Sequence, residues 1–209
     1  MATTDVRGAA GEEAIGWSGR VMDVLGHVSR LLLVQGLWLG GALAGLVVLG
    51  VFPASVAAVR ALEAPSAPVR AFVVAYREAF GRANLAGAGF QVAWLVVALD
   101  VAVSSSLPAG IASAALAAVT IVGAVSAVSA AYAVVALARA PRATTRTVVR
   151  FAVVAPWLTP GRALVVLAAL GAVAAALLTA PPIALLFGAS APLLVHAALI
   201  GPAVDRATA

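Results

Sequence analysis

Cysteine and lysine are both absent from this sequence, and charge of either sign is scarce. Without cysteine there can be no disulfide framework, no thiolate metal ligand and no cysteine nucleophile. Without lysine there is neither Schiff-base chemistry nor the lysine of a phosphate-binding P-loop. Charged residues make up 10% of the 209-residue chain, where globular domains carry about a quarter. So little charge cannot clothe a domain of this length in a water-facing surface. Disorder is excluded as well, because disordered chains are poor in hydrophobic residues and this one is 64% hydrophobic with a mean hydropathy of +1.11. The remaining class is an all-α, polytopic transmembrane helix bundle.

The net charge of +5 comes from thirteen arginines. They lie between apolar runs, where the positive-inside rule places them, so the basic balance implies a lipid bilayer and not nucleic acid as partner. The first thirty residues are polar and mixed in charge, unlike the short apolar core of a cleavable signal.

Spans need about twenty apolar residues to cross roughly 30 Å of hydrocarbon. Charge-free runs at 31–59, 83–99, 101–138 and 163–204 predict five of them, near 31–51, 84–104, 109–138, 162–180 and 183–204. Pro181-Pro182 divides the last two. A polar segment at 1–30 precedes this single membrane domain (31–204), and a tail follows at 205–209. Two basic stretches have helical period. In 68–83, Val69, Phe72, Val73, Tyr76 and Phe80 share one face; in 142–158, Arg142, Arg146 and Arg150 share another. Both are predicted to lie as amphipathic helices in the interface, the three arginines touching anionic headgroups.

Arginine also sets the predicted orientation in the plasma membrane. Residues 52–83 and 139–162 are arginine-rich, whereas 105–109 and 181–182 have none, so the former are cytoplasmic. Five spans then put the N-terminus outside and the C-terminus inside. That leaves Arg7, Arg20 and Arg30 outside, against the rule. If the first span is re-entrant, the N-terminus moves inside and the count drops to four. A weak internal echo joins Gly81-Arg82-Ala83-Asn84-Leu85 to Gly161-Arg162-Ala163-Leu164; each follows a basic amphipathic stretch and opens a hairpin of spans.

Few side chains could carry chemistry. Asp100 is the only acid inside a predicted span, and intramembrane acids are functional candidates by default. It also sits one turn from a helix end, where it can snorkel, with Gln35 and Ser113 at matching depth. His196 follows Pro192, which removes a donor to the Gly188 carbonyl and predicts a kink there. The two differ in depth by about 10 Å at 1.5 Å per residue. Gln91 is a third intramembrane polar candidate, within reach of Ser126, Ser129 and Tyr132. Gly36/Gly40 and Gly41/Gly45 are small-xxx-small pairs suited to helix packing or a dimer seam. No acid–base pair, nucleophile constellation, metal cluster or cofactor fingerprint is present, so no enzyme activity and no cofactor are expected. Gly87-Ala88-Gly89 lies inside a span, without the strand a dinucleotide loop requires.

The stretch Gly50-Val51-Phe52-Pro53-Ala54-Ser55, a short basic linker, and then Tyr76-Arg77-Glu78-Ala79-Phe80-Gly81-Arg82-Ala83-Asn84 resembles the YesL-like family of bacterial membrane proteins, a domain of unknown function. Phe72, Ala79, Phe80 and Asn84 look like the positions of its aromatic core and asparagine. Asp100 falls where some members carry an acid. The resemblance implies an accessory or regulatory role in carbohydrate uptake, with ABC permease subunits or a second copy of the chain as partner. A small transporter with a path near Asp100, Pro192 and His196 is the alternative.

Overall fold

The computed structural model describes residues 6–104 and 106–208. Among them are eight helices and no strand: α1 Val6–Ala44, α2 Val48–Glu63, α3 Pro68–Ser104, α4 Ala109–Arg139, α5 Thr145–Leu158, α6 Pro160–Thr179, α7 Pro181–Phe187 and α8 Ser190–Thr208. Helices are what an apolar chain must form in lipid, since each satisfies its own backbone. Three of them, α3, α4 and α6, are long and apolar enough to cross a membrane. α7 and α8 meet at 50° across a short break and make a fourth span if counted together.

The span predicted at 31–51 is therefore not a single crossing. α1 stops at Ala44, the chain reverses, and α2 returns alongside it. At the closed end Gly45 lies against Gly50. At the open end the Arg30 guanidinium donates to the carbonyls of Ala61 and Leu62. The apolar leg from Leu31 to Ala44 is only about 21 Å long at 1.5 Å per residue, short of the roughly 30 Å needed. Composition supplied enough apolar residues for a span; the turn divides them between two short legs. The two legs form a helical hairpin, the shape a re-entrant first span would have, and it brings Arg30 to the same end as the basic loops.

That basic end is tied together by arginine. Arg139, closing α4, is 2.8 Å from Glu63 of α2 and 2.8 Å from Asp205 of α8. Arg82 of α3 donates to the carbonyls of Pro141 and Ala143.

The stretch 68–83 is not a separate surface helix. It runs without interruption into 84–104 to make α3, starting at Pro68, whose fixed φ suits a first helical position. Its apolar side packs inward: Phe72 is buried, and Ala75, Tyr76 and Ala79 lean on the core. α5 does stand apart from α6, ending at Leu158, with Thr159 as its cap and Pro160 opening the next helix. Thr144 caps it, accepting from the Thr147 N–H at 3.3 Å. The sequence echo is thus not a repeat of local structure. Arg142, Arg146 and Arg150 are all exposed, Arg142 in the loop before α5 and the other two on it. The core is built from α2, buried from Phe52 through Val59, and the second half of α4, with Tyr132 fully enclosed.

Candidate functional site

Two of the helix breaks within the apolar sequence, the α1–α2 tip and the α7–α8 junction, gather polar side chains from other helices. The first is the hairpin tip. Leu46 and Val47 have φ of 55° and 65°, and the Val48 N–H donates to the Leu46 carbonyl at 2.8 Å. With ψ of −64° at Val47, this is a γ-turn of the rare, strained kind. Every N–H from Gly45 to Val51 still finds an acceptor within the turn. Gln91, about a third of the way along the predicted second span, donates to the Val48 carbonyl, and the Tyr76 hydroxyl donates to Gly41 O at 2.8 Å. Leu43, Leu46, Val47, Val48 and Leu49 are exposed around the tip, as a lipid-facing turn demands.

Glycine makes the tip possible. A Cβ on Gly50 would run into the Ala42 carbonyl oxygen, and one on Gly45 into the Gly50 backbone. Phe52, one turn below, stacks on Phe90 and Trp94 at centroid distances of 6.1 and 6.0 Å, in space that Gly87 leaves open.

The second interruption is the α7–α8 break, at the glycine where Pro192 predicts a kink. Here a side chain does the repair. Gln35 of α1 is 4% exposed. Its Oε1 accepts from the N–H groups of Ala189 and Ser190 at 3.0 and 2.9 Å. Its Nε2 donates to the Leu185 carbonyl at 3.0 Å. The amide thus bridges the last turn before the break and the first after it.

Beside this bridge lies a cavity of about 740 Å³ between α1, α2, α6, α7 and α8. Its walls are mostly aliphatic. The polar groups on it are Gln35, Trp38, Ser55 and His196. Trp38 Nε1 donates to Ser55 Oγ at 3.0 Å, and Ser55 donates onward to Val51 O at 2.7 Å. His196 is 3% exposed; neither ring nitrogen makes a well-formed hydrogen bond among the described residues, although the Val166 backbone lies beside the ring. The Ser190 hydroxyl is buried and unpartnered too.

The three intramembrane candidates are not one site. Asp100 is exposed near the far end of α3. Gln35, its expected neighbour, is committed to the break, and Ser113 donates to Gly110 on its own helix. Gln91 serves the hairpin tip, not Ser126, Ser129 or Tyr132; Tyr132 instead meets Thr159 at 2.9 Å. Only His196 faces the cavity. The glycine pairs separate as well. Gly41 and Gly45 are used inside the molecule, whereas nothing lies within 4 Å of a Cβ built on Gly36 or Gly40. Among the described residues no group of three or more metal-ligating side chains occurs. Gln35, expected from the sequence only as a neighbour of Asp100, has a structural task of its own at the break. Its signal was a long amide in an otherwise leucine- and glycine-rich leg.

Residues 31–101 match a family described as a protein of unknown function, DUF624. The matched stretch is the α1–α2 hairpin together with nearly all of α3. No curated protein and no solved structure matches the chain.

Proposed function

We propose that this chain is a non-enzymatic, multi-pass protein of the bacterial plasma membrane that assists or regulates a carbohydrate-uptake system by helix–helix contact. The observation that carries the reading is the open pair Gly36/Gly40. It lies on the membrane leg of α1, exposed beside Leu32, Leu33 and Leu43, with no neighbour of its own. Small residues four apart let another helix approach closely enough for backbone packing. The resemblance to YesL-like proteins supplies the partner class, the permease subunits of ABC-type sugar importers. The arginine-rich end is taken as cytoplasmic by the positive-inside rule; Arg30 and Asp205 both lie at that end, which supports an inside location for both terminal segments, against the outside N-terminus that five spans would give.

The test is co-purification. The full chain is tagged at its C-terminus and extracted from native membranes in mild detergent, and stoichiometric partners are identified by mass spectrometry. Permease subunits accompany the parent protein, and Gly36→Leu/Gly40→Leu reduces their yield about tenfold while expression and melting stay unchanged. If no permease subunit appears, or the double variant retains it in full, the reading fails. Recovery of the chain with only its own copies assigns the seam to self-association instead.

A small transporter is the second reading, favoured by the broken α7–α8 helix beside a cavity, an arrangement found around midplane substrate sites. In that case the path runs past His196 and Pro192, and Asp100 lies off it.

A further inference from the structure

Burying an imidazole without partners is costly, because a polar group taken out of water forfeits its hydrogen bonds. His196, on the wall of a cavity of about 740 Å³, comes close to that position: its ring makes no well-formed hydrogen bond among the described residues, and only the Val166 backbone lies beside it. That volume is within the roughly 300–1,000 Å³ of small-molecule sites. The other polar groups on the wall are already spoken for. Gln35 holds the helix break, and Trp38 and Ser55 are bonded in series. The Val166 backbone beside the ring can take the imidazole N–H, so the free hydrogen-bonding capacity of the site is the imidazole's acceptor nitrogen.

We infer that this cavity is a binding site for an uncharged, largely hydrocarbon molecule carrying a single hydroxyl head, with His196 as the group that reads the head. The chemistry of the walls selects the class. No arginine, aspartate or glutamate lines the cavity, so a carboxylate, phosphate or ammonium would enter without a counter-charge, at high cost in this setting. A hydroxyl donates to the acceptor nitrogen of the imidazole, which an ether or carbonyl head cannot do. The aliphatic walls of Leu170, Val173 and Leu193 take the hydrocarbon tail. Leu177 and Leu185, on the rim, are exposed to lipid, so the ligand arrives from the bilayer rather than from water. This site goes beyond the contact role proposed above and does not depend on it.

The chain has two histidines, which makes a direct test available. His27 is exposed and bonds only its own helix, through Nδ1 and the Asp23 carbonyl at 2.7 Å, so His27→Gln leaves His196 as a single reporter. Full-length H27Q protein, labelled with 15N in the imidazole ring and held in lipid nanodiscs, is titrated with 1-dodecanol and, separately, with dodecane. The ring nitrogens shift saturably with the alcohol, at a midpoint at least about tenfold below any effect of the alkane. Val173→Phe, which fills the cavity from α6 without touching the histidine, raises that midpoint at least about tenfold while melting is preserved. Ring signals that ignore dodecanol overturn the proposal, as does an equal response to dodecane, which would mean tail packing alone. An unchanged midpoint in Val173→Phe overturns it as well, because the alcohol would then be bound elsewhere.

Discussion

The tip of the α1–α2 hairpin and the α7–α8 break pose the same problem and solve it differently. Both interrupt a helix where lipid offers no hydrogen bonds, so freed backbone groups must be satisfied by the protein. At the tip the N–H groups 45–51 all bond within the turn and glycines let the two legs close, so α3 adds only donors to two carbonyls, from Gln91 and Tyr76. At the break the repair comes from elsewhere in the chain, through one glutamine on α1. A turn whose N–H groups are all satisfied locally stands largely on its own. A turn held by a distant side chain couples two parts of the bundle, and here it couples the α1–α2 hairpin to the helix pair that lines the cavity.

The comparison breaks most visibly at Gly50. Its missing side chain is what allows the legs to meet, and the atoms a Cβ would strike are the Ala42 carbonyl oxygen and Cα. Backbone cannot swing aside as a side-chain tip can. Gly50→Ala is expected to destabilise the fold by about 3 kcal/mol, the upper end of ordinary overpacking, read as a lower melting temperature in detergent. A variant that melts with the parent would show that the tip is looser than described. Gly36→Ala, with open space around it, is the matched control.

Gln35→Leu is the next largest. It removes the partner of two buried N–H groups and one carbonyl while keeping the volume apolar. Interhelical hydrogen bonds in membranes are worth about 1–2 kcal/mol in model peptides and less in some proteins, so a loss of about 2 kcal/mol is expected for the three together. The more telling readout is location. Hydrogen exchange of the Ala189 and Ser190 amides should accelerate strongly, with the hairpin amides 45–51 unmoved. If both regions loosen equally, the coupling is global and the glutamine is not a local brace.

How much of this was legible beforehand differs between the two interruptions for a physical reason. The α7–α8 break is written locally: Pro192 removes an N–H, the carbonyl it would have met belongs to Gly188, and a kink follows from covalent structure. The hairpin tip is not. Residues 31–59 carry no charge, and hydropathy cannot distinguish one long span from two short legs. What decides the matter is tertiary: Gly45 against Gly50, Arg30 against the end of α2. The one hint in the sequence was electrostatic, since a crossing first span would have left Arg30 on the wrong side of the positive-inside rule. Asp100 shows the converse. An acid within a span draws attention, yet an exposed position near a helix end satisfies it without a partner, and an uncharged glutamine has the structural task.

Val47 provides the smallest effect and the finest test of the contrast. A β-branched residue at positive φ is a genuine outlier, and at the centre of a γ-turn it carries strain of roughly 1–3 kcal/mol. Glycine populates that region freely, so Val47→Gly relieves the strain. The gain is offset by the greater freedom of a glycine in the unfolded chain and by a lost apolar contact with lipid. The net expectation is stabilisation by about 1 kcal/mol, a small rise in melting temperature. If the tip is a purely structural turn, that rise has no functional consequence, and partner capture through Gly36/Gly40 stays at the parent level. If capture falls while stability rises, the strain at Val47 is being used: the turn is held under tension so that the glycine face of α1 can adjust to its partner, and the two interruptions would then both be working parts, one sprung and one braced.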